Sequence, residues 1–300
     1  MDELIYSVIR RPYVFVFFTV YLIAAITHIG LNRTLVWTAV GWVIAFACEA
    51  SSIRNGFPFG LYHYKEQNLQ GELLIAGVPF WDSLSFTFLS YFSWTTAMLF
   101  WAPLHRSRTD FQRLETPELR RSPRVLILAA FLMMMIDVII DPLTHQGDKW
   151  FLGDIYYYPN GGEHFDVPIT NYMGWVFVGI STLTAYTLIE RYAMPAAKGN
   201  ETGIRWLPFG GLLGPLVFVG VIGFGLTITL MIGDLTLFWA SAFIWITPIW
   251  LYLIRATRPE SAAARADVAA FIDAWPESPI VRRCYPDGPY SGTHGSKPAQ

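Results

Sequence analysis

The sequence is short of charge. Only 15% of its 300 residues are Asp, Glu, Lys or Arg, against about 25% in an average soluble domain. The deficit leaves long runs without a charged side chain: Pro12–Asn32, Ser83–His105, Val167–Ile189, Trp206–Gly233 and Leu235–Ile254. A membrane helix needs roughly 20 mostly apolar residues, so the chain reads as a polytopic membrane protein. Cysteine is almost missing, and Cys48 and Cys284 stand too far apart in character to imply a disulfide framework. The net charge of −2, with no basic stripe outside the loops, excludes a nucleic-acid partner. The six histidines show no HxxH or HxxxH spacing, which speaks against a di-iron desaturase or a zinc protease. No lysine falls in a hydrophobic run, so a retinal Schiff base is excluded, and no GxGxxG or phosphate-cradling loop is present. Neither a metal nor an organic cofactor is expected. The N-terminal apolar run is too long for a cleavable signal and lacks a small-residue cleavage site.

What is there is hydrophobic (53%) and aromatic (16%). The fold class expected is all-α, a membrane helix bundle of about seven spans. They lie near Pro12–Leu31, Thr34–Ala50, Pro79–Pro103, Pro123–Asp141, Ile169–Ile189, Leu207–Ile232 and from Leu235 to Ile254. The sixth carries Gly210, Gly211, Gly214, Gly220, Gly223 and Gly225, small residues that let helices approach closely. Residues 1–254 form the bundle and 255–300 a tail. In the tail Val268, Phe271, Ile272 and Trp275 recur at helical spacing, as in a short amphipathic helix on a membrane surface. The Pro, Gly and Ser content after Trp275 suggests disorder. Counting loops by parity puts five Lys and Arg on the N-terminal side and sixteen on the other. The positive-inside rule then places the C-terminus in the cytoplasm of a multi-pass protein of the cell (inner) membrane, although Arg10 and Arg11 pull the other way.

The same parity gathers the polar residues. Glu49 ends the second span, Asp82 starts the third, Asp137 and Asp141 end the fourth before a break at Pro142, and Asn171 starts the fifth, so all five face one side of the membrane. Asp137 and Asp141 are four apart and share a helix face, as do Asn171 and Trp175. Each has a plainer explanation: Asp82 complements a helix dipole, Asp141 sits at a solvated helix end, and single rings belong to an interfacial belt. His28 reads as a hydrogen-bonded core histidine. Asp137 lies about one turn deeper, roughly 5 Å, where acids are costly and tend to mark function. Between them runs a loop crowded with Trp150, Phe151, Tyr156, Tyr157, Tyr158 and Phe165. Carboxylates and aromatic rings beside a greasy cavity suit protonation of an electron-rich alkene, with the cation held against aromatic faces and water added by a second carboxylate. A proton-coupled transporter or lipid-binding protein would use the same acids as a relay.

The segments Glu49–Tyr64, Gly77–Asp82 (GVPFWD), Asp137–Pro142 (DVIIDP), Asp148–Gly153 and Val167–Trp175 (VPITNYMGW) resemble the integral-membrane carotenoid biosynthesis family, which includes carotenoid hydratases, over about residues 35–190. The resemblance implies cofactor-independent hydration of the terminal double bond of an acyclic carotenoid, within the lipid and beside other enzymes of carotenoid biosynthesis. It implies catalytic roles for Glu49, Asp137 and Asp141. Substrate-binding roles would fall to Tyr62, Tyr64, Trp81, Asp82, Trp150, Asn171 and Trp175. A related end-group enzyme such as a cyclase would use the same proton donor and exclude water. One departure stands out: relatives tend to read Tyr-Phe-Gly-Val-Pro before the fifth span, and this chain has His164-Phe165-Asp166-Val167-Pro168. A reporter active only outside the cytoplasm is expected to be silent when fused after Ile254 and active when placed between Asp148 and Gly162. The opposite pattern would reject the orientation.

Overall fold

A computed structural model describes residues 2–194 and 207–288. Long helices dominate it: α2 (Pro12–Ile29), α3 (Leu31–Asn55), α4 (Phe80–Leu99), α6 (Pro123–Thr144), α7 (Ile169–Ala193), α8 (Gly210–Met231) and α9 (Leu235–Thr257). Shorter ones are α1 (Glu3–Arg10), α5 (Pro117–Arg120), α10 (Arg265–Ala274) and α11 (Pro279–Cys284). The strands are two or three residues long and pair as β1 (His63–Tyr64) with β6 (Tyr156–Tyr157), β2 (Leu74–Ile75) with β3 (Val78–Pro79), and β4 (Leu104–Arg106) with β5 (Phe111–Arg113). A polytopic helical bundle is what the uncharged runs demand.

Two helix ends differ from expectation. α3 runs to Asn55, beyond Ala50, until Gly56 takes a left-handed φ of 83° and its N–H returns to Ser52. α6 continues through Pro142 to Thr144. A proline inside a helix leaves the carbonyl four residues back without a donor, here that of Val138. The His164 Nε2 donates to it at 3.3 Å, so the loop before α7 restores the bond that Pro142 removes.

Six of the long helices are apolar enough to cross a membrane: α2, α3, α6, α7, α8 and α9. The seventh, α4, is the axis of the bundle. It packs against all six others, and nearly every residue from Trp81 to Leu99 is buried. A helix facing lipid must be greasy, whereas an enclosed one can carry hydroxyl groups that bond internally. α4 does so at Ser90, Thr95 and Thr96, whose hydroxyls donate to carbonyls one turn back. The outer helices show the converse, with Trp239, Phe243, Ile246 and Trp250 exposed along α9.

At the end opposite Glu49 and Asp82, Glu115 is buried and satisfied by His28 at 2.8 Å, Arg120 at 3.1 Å and Arg113. Burial raises its pKa, but His28 and the two arginines outweigh that and hold the carboxyl well below its usual range. The other His28 nitrogen meets the Tyr91 hydroxyl at 2.9 Å, so it is a bonded core histidine. The tail packs here. Val268, Phe271 and Trp275 of the expected amphipathic stripe are buried with Leu114, Val281 and Tyr285, and Trp275 Nε1 donates to the Glu115 carbonyl at 2.7 Å. That stripe meets protein where a membrane surface was expected. The segment after Trp275 contains α11 in place of uniform disorder, and residues 289–300 lie outside the described residues. At the other end Arg11 is buried in a two-point pair with Glu72, at 2.8 and 3.1 Å, so it does not count as a free loop charge.

The glycines of α8 divide into two sets. Gly211 abuts the backbone of Phe111 to Arg113, Gly214 the side chain of Thr95, and Gly225 that of Ile139, while Gly220 and Gly223 face open space. A Cβ at Gly214 would lie 2.8 Å from the Cβ of Thr95, with nothing within 4 Å at Gly220. Gly214→Ala is therefore expected to destabilise by about 1–3 kcal/mol through overpacking. Gly220→Ala on the same helix should be neutral or stabilising by up to about 1 kcal/mol. Thermal unfolding in detergent distinguishes them, and equal midpoints would reject the packing.

Candidate functional site

Four carboxylates converge at one end of the bundle from three helices. Glu49 is on α3, Asp82 in the first turn of α4, and Asp137 and Asp141 one turn apart near the end of α6. Three are buried and Asp82 is half-buried. Asn171, in the first turn of α7, lies across the α6 pair. Its Nδ2 donates to Asp137 Oδ2 at 2.5 Å and to Asp141 Oδ2 at 2.8 Å, so one amide nitrogen commits both N–H groups to two acids. The Tyr158 hydroxyl donates to the same Asp141 oxygen at 3.3 Å.

A second pair lies alongside. The Tyr64 hydroxyl donates to Asp82 Oδ2 at 2.7 Å and lies 3.4 Å from Glu49 Oε1, and the Ser83 hydroxyl donates to Glu49 Oε2. Tyr62 stands 3.4 Å from the Tyr64 oxygen. Burial pushes the phenols of Tyr62, Tyr64 and Tyr158 well above their usual range, and the nearby carboxylates push them further. All three remain neutral hydrogen-bond donors over the physiological range.

The loops reach the site through the pairing of β1 with β6, His63 opposite Tyr157 and Tyr64 opposite Tyr156. Side chains alternate along an extended chain. Tyr156 and Tyr158 accordingly turn to the site, their rings 5.6 and 5.9 Å from Tyr62, while Tyr157 is exposed under Lys65. Trp175, one turn into α7, stacks on Phe86 of α4 at 4.3 Å.

Two cavities meet among these groups. A small one, about 50 Å³, is bounded by Glu49, Tyr62, Asp82, Asp141, Tyr158 and Asn171, enough for one or two waters. A larger one, about 140 Å³, is mostly apolar. It runs from Asp137 and Asp141 past Trp81, Trp150 and Phe88 to Phe17 on α2 and Val221 and Phe224 on α8. Asp82, Asp141, Tyr156 and Trp175 border both, Glu49 only the smaller one, and Asp137 only the larger one.

All ten residues singled out from the sequence gather at this end. Trp81 and Trp150 stand apart from the carboxylates along the apolar cavity. Trp81 Nε1 donates to Glu72 at 2.6 Å, beneath the Arg11 guanidinium, and Trp150 Nε1 donates to the Leu143 carbonyl at 3.0 Å. Sequence reasoning assigned no role to Tyr156, Tyr158, Ser83, Phe86 or His145. The period of two through Tyr156-Tyr157-Tyr158 was a usable signal for the first two. His145, just past α6, stacks on Tyr158 with ring centroids 5.3 Å apart, and its buried Nε2 has no hydrogen-bond partner among the described residues. Burial lowers its pKa, so the ring is neutral at pH 7.

A family model described as carotenoid biosynthesis protein matches residues 10–239. No curated protein and no solved structure matches the chain.

The aspartate-for-glycine departure has a backbone counterpart. Asp166 has a φ of 65° and Phe165 of 50°, in the left-handed region that glycine fills without cost. Aspartate tolerates that region better than most residues, and β-branched ones poorly. Asp166→Gly is expected to keep or raise the thermal midpoint, and Asp166→Val to cost about 1–2 kcal/mol. Matching midpoints for the two variants in detergent would contradict this loop conformation.

Proposed function

The chain belongs to the carotenoid biosynthesis protein family, and from that premise we propose that it is a hydratase, adding water to the terminal double bond of an acyclic carotenoid. The observation that carries this reading is that a water-sized, carboxyl-lined chamber and a larger apolar cavity share the carboxylates Asp82 and Asp141. A hydrocarbon end and a water molecule need separate compartments with one shared wall that can move protons.

The two compartments also suggest roles. Asp137 borders only the apolar cavity, so it is the acid that protonates the alkene carbon. The adjacent carbon becomes a tertiary cation, faced by the rings of Trp175, Phe86 and Tyr156. Water in the smaller chamber, held by Glu49, Tyr62 and Tyr158, forms the new C–O bond. Asp141, which borders both spaces, takes the proton that water gives up. Passing that proton back to Asp137 restores the starting state. The sum is one water added, with no oxidation or reduction. Asn171, bonded to both aspartates, holds them in position, and Glu49 and Asp82 place carboxyl oxygens near the cation.

The test is a mass and label measurement. Purified protein given an acyclic carotenoid in H₂¹⁸O is expected to yield a product heavier by one labelled water. Asp137→Asn and Asp141→Asn keep shape but carry no transferable proton, and each is expected to lower the rate by about 10²–10⁴-fold. Trp175→Phe should be milder. A product of unchanged mass would point to a cyclase or isomerase. Near wild-type turnover by either asparagine variant would remove that aspartate from the chemistry.

A further inference from the structure

At the far end of the bundle from the carboxylates, the tail closes against the β4–β5 hairpin. His105 on β4, Asp110 in the segment between β4 and β5, and Cys284 at the end of α11 meet there. One donor atom from each lies within 4.8 Å of the other two. These three residues come from segments up to about 180 positions apart, so the cluster exists only when the tail is docked.

We propose that His105, Asp110 and Cys284 form a binding site for a divalent cation of the zinc class. Nitrogen, carboxylate oxygen and sulfur in one set suit zinc and cobalt and disfavour magnesium and calcium, which take oxygen. Bonds of about 2.0–2.3 Å around a tetrahedral centre place ligand atoms about 3.3–3.7 Å apart. The present spread is wider by up to about 1.5 Å, a gap that side-chain rotations of the three ligands close. Water completes the fourth position.

The surroundings fit the role. Metal-bound side chains are normally oriented by hydrogen bonds from their other polar atoms. The Tyr285 hydroxyl meets His105 Nδ1 at 2.8 Å. Asp110 Oδ1 accepts from Gln112 Nε2 at 2.7 Å and from the Phe209 N–H at 3.1 Å. The Cys284 thiol donates to Asp110 Oδ2 at 3.4 Å, a long contact. Cation binding replaces it with two direct bonds and releases the thiol proton to solvent. The result is a clamp on the tail. Phe271, Pro279 and Ile280 of that tail form one wall of a cavity of about 50 Å³ beside His28 and Arg120. The clamp uses Cys284, beyond the family-matched residues, and stands independently of the hydratase reading.

The full-length protein in detergent, stripped with chelator and titrated with Co²⁺, tests the site. About one cobalt per chain is expected after desalting, with a near-ultraviolet thiolate-to-cobalt absorption band and the strong visible bands of tetrahedral coordination. Cys284→Ser should lose the near-ultraviolet band, and His105→Gln should weaken Co²⁺ and Zn²⁺ binding about 10-fold or more. Cys48→Ser should change nothing. His105→Gln decides the matter if Cys284→Ser does not give a monodisperse protein. Wild-type protein that retains no more metal than His105→Gln, or a thiolate band that disappears with Cys48→Ser, would overturn the proposal.

Discussion

An acid inside an apolar bundle must find a donor, and that constraint organises the rest of the molecule. Asn171 answers it for Asp137 and Asp141, and Tyr64 and Ser83 for Asp82 and Glu49. Each donor comes from a different element than its acid, or from the turn that begins the next one. α3 is thereby tied to α4, and α6 to α7, at one end of the bundle by hydrogen bonds to buried carboxyl groups. The loops follow the same demand. Strand pairing of β1 with β6 exists where Tyr64, Tyr156 and Tyr158 have to be held over the acids.

The two ends of the bundle solve the same problem differently. Glu115 is paired with arginines and a histidine and is fixed as an anion. Among the described residues no cation touches the site carboxylates, only neutral donors. A charge neutralised by guanidinium groups makes a firm joint but a poor proton carrier. A carboxyl held by amides and phenols keeps the freedom to gain and lose a proton. On the proposed function, the firm joint and the proton-transferring site occupy opposite ends of one helix bundle.

Much of this was legible in the sequence. The helices follow from uncharged runs because lipid tolerates little else, and the gathering of Glu49, Asp82, Asp137, Asp141 and Asn171 follows from loop parity alone. The place of α4 was hidden, since its serines and threonines look like weakness in a membrane span and make sense only once neighbours enclose it. The tie between His164 and the Val138 carbonyl was equally hidden, because it depends on which carbonyl Pro142 orphans and on what passes near it. The tail misled for a related reason. Val268, Phe271 and Trp275 mark an apolar stripe, but periodicity does not say whether lipid or protein covers it.

The polarity of α4 carries a consequence for biogenesis. A segment with that many hydroxyls, and an acid in its first turn, gains little by partitioning into hydrocarbon unaided. It enters the bilayer favourably only against helices already there, and α2 and α3 precede it in the chain. Chain order therefore sets a sequence: α2 and α3 first, then the polar axis α4 against them, then α6 and α7 to close the acids in. Until α7 arrives with Asn171, the aspartates of α6 lack their shared donor.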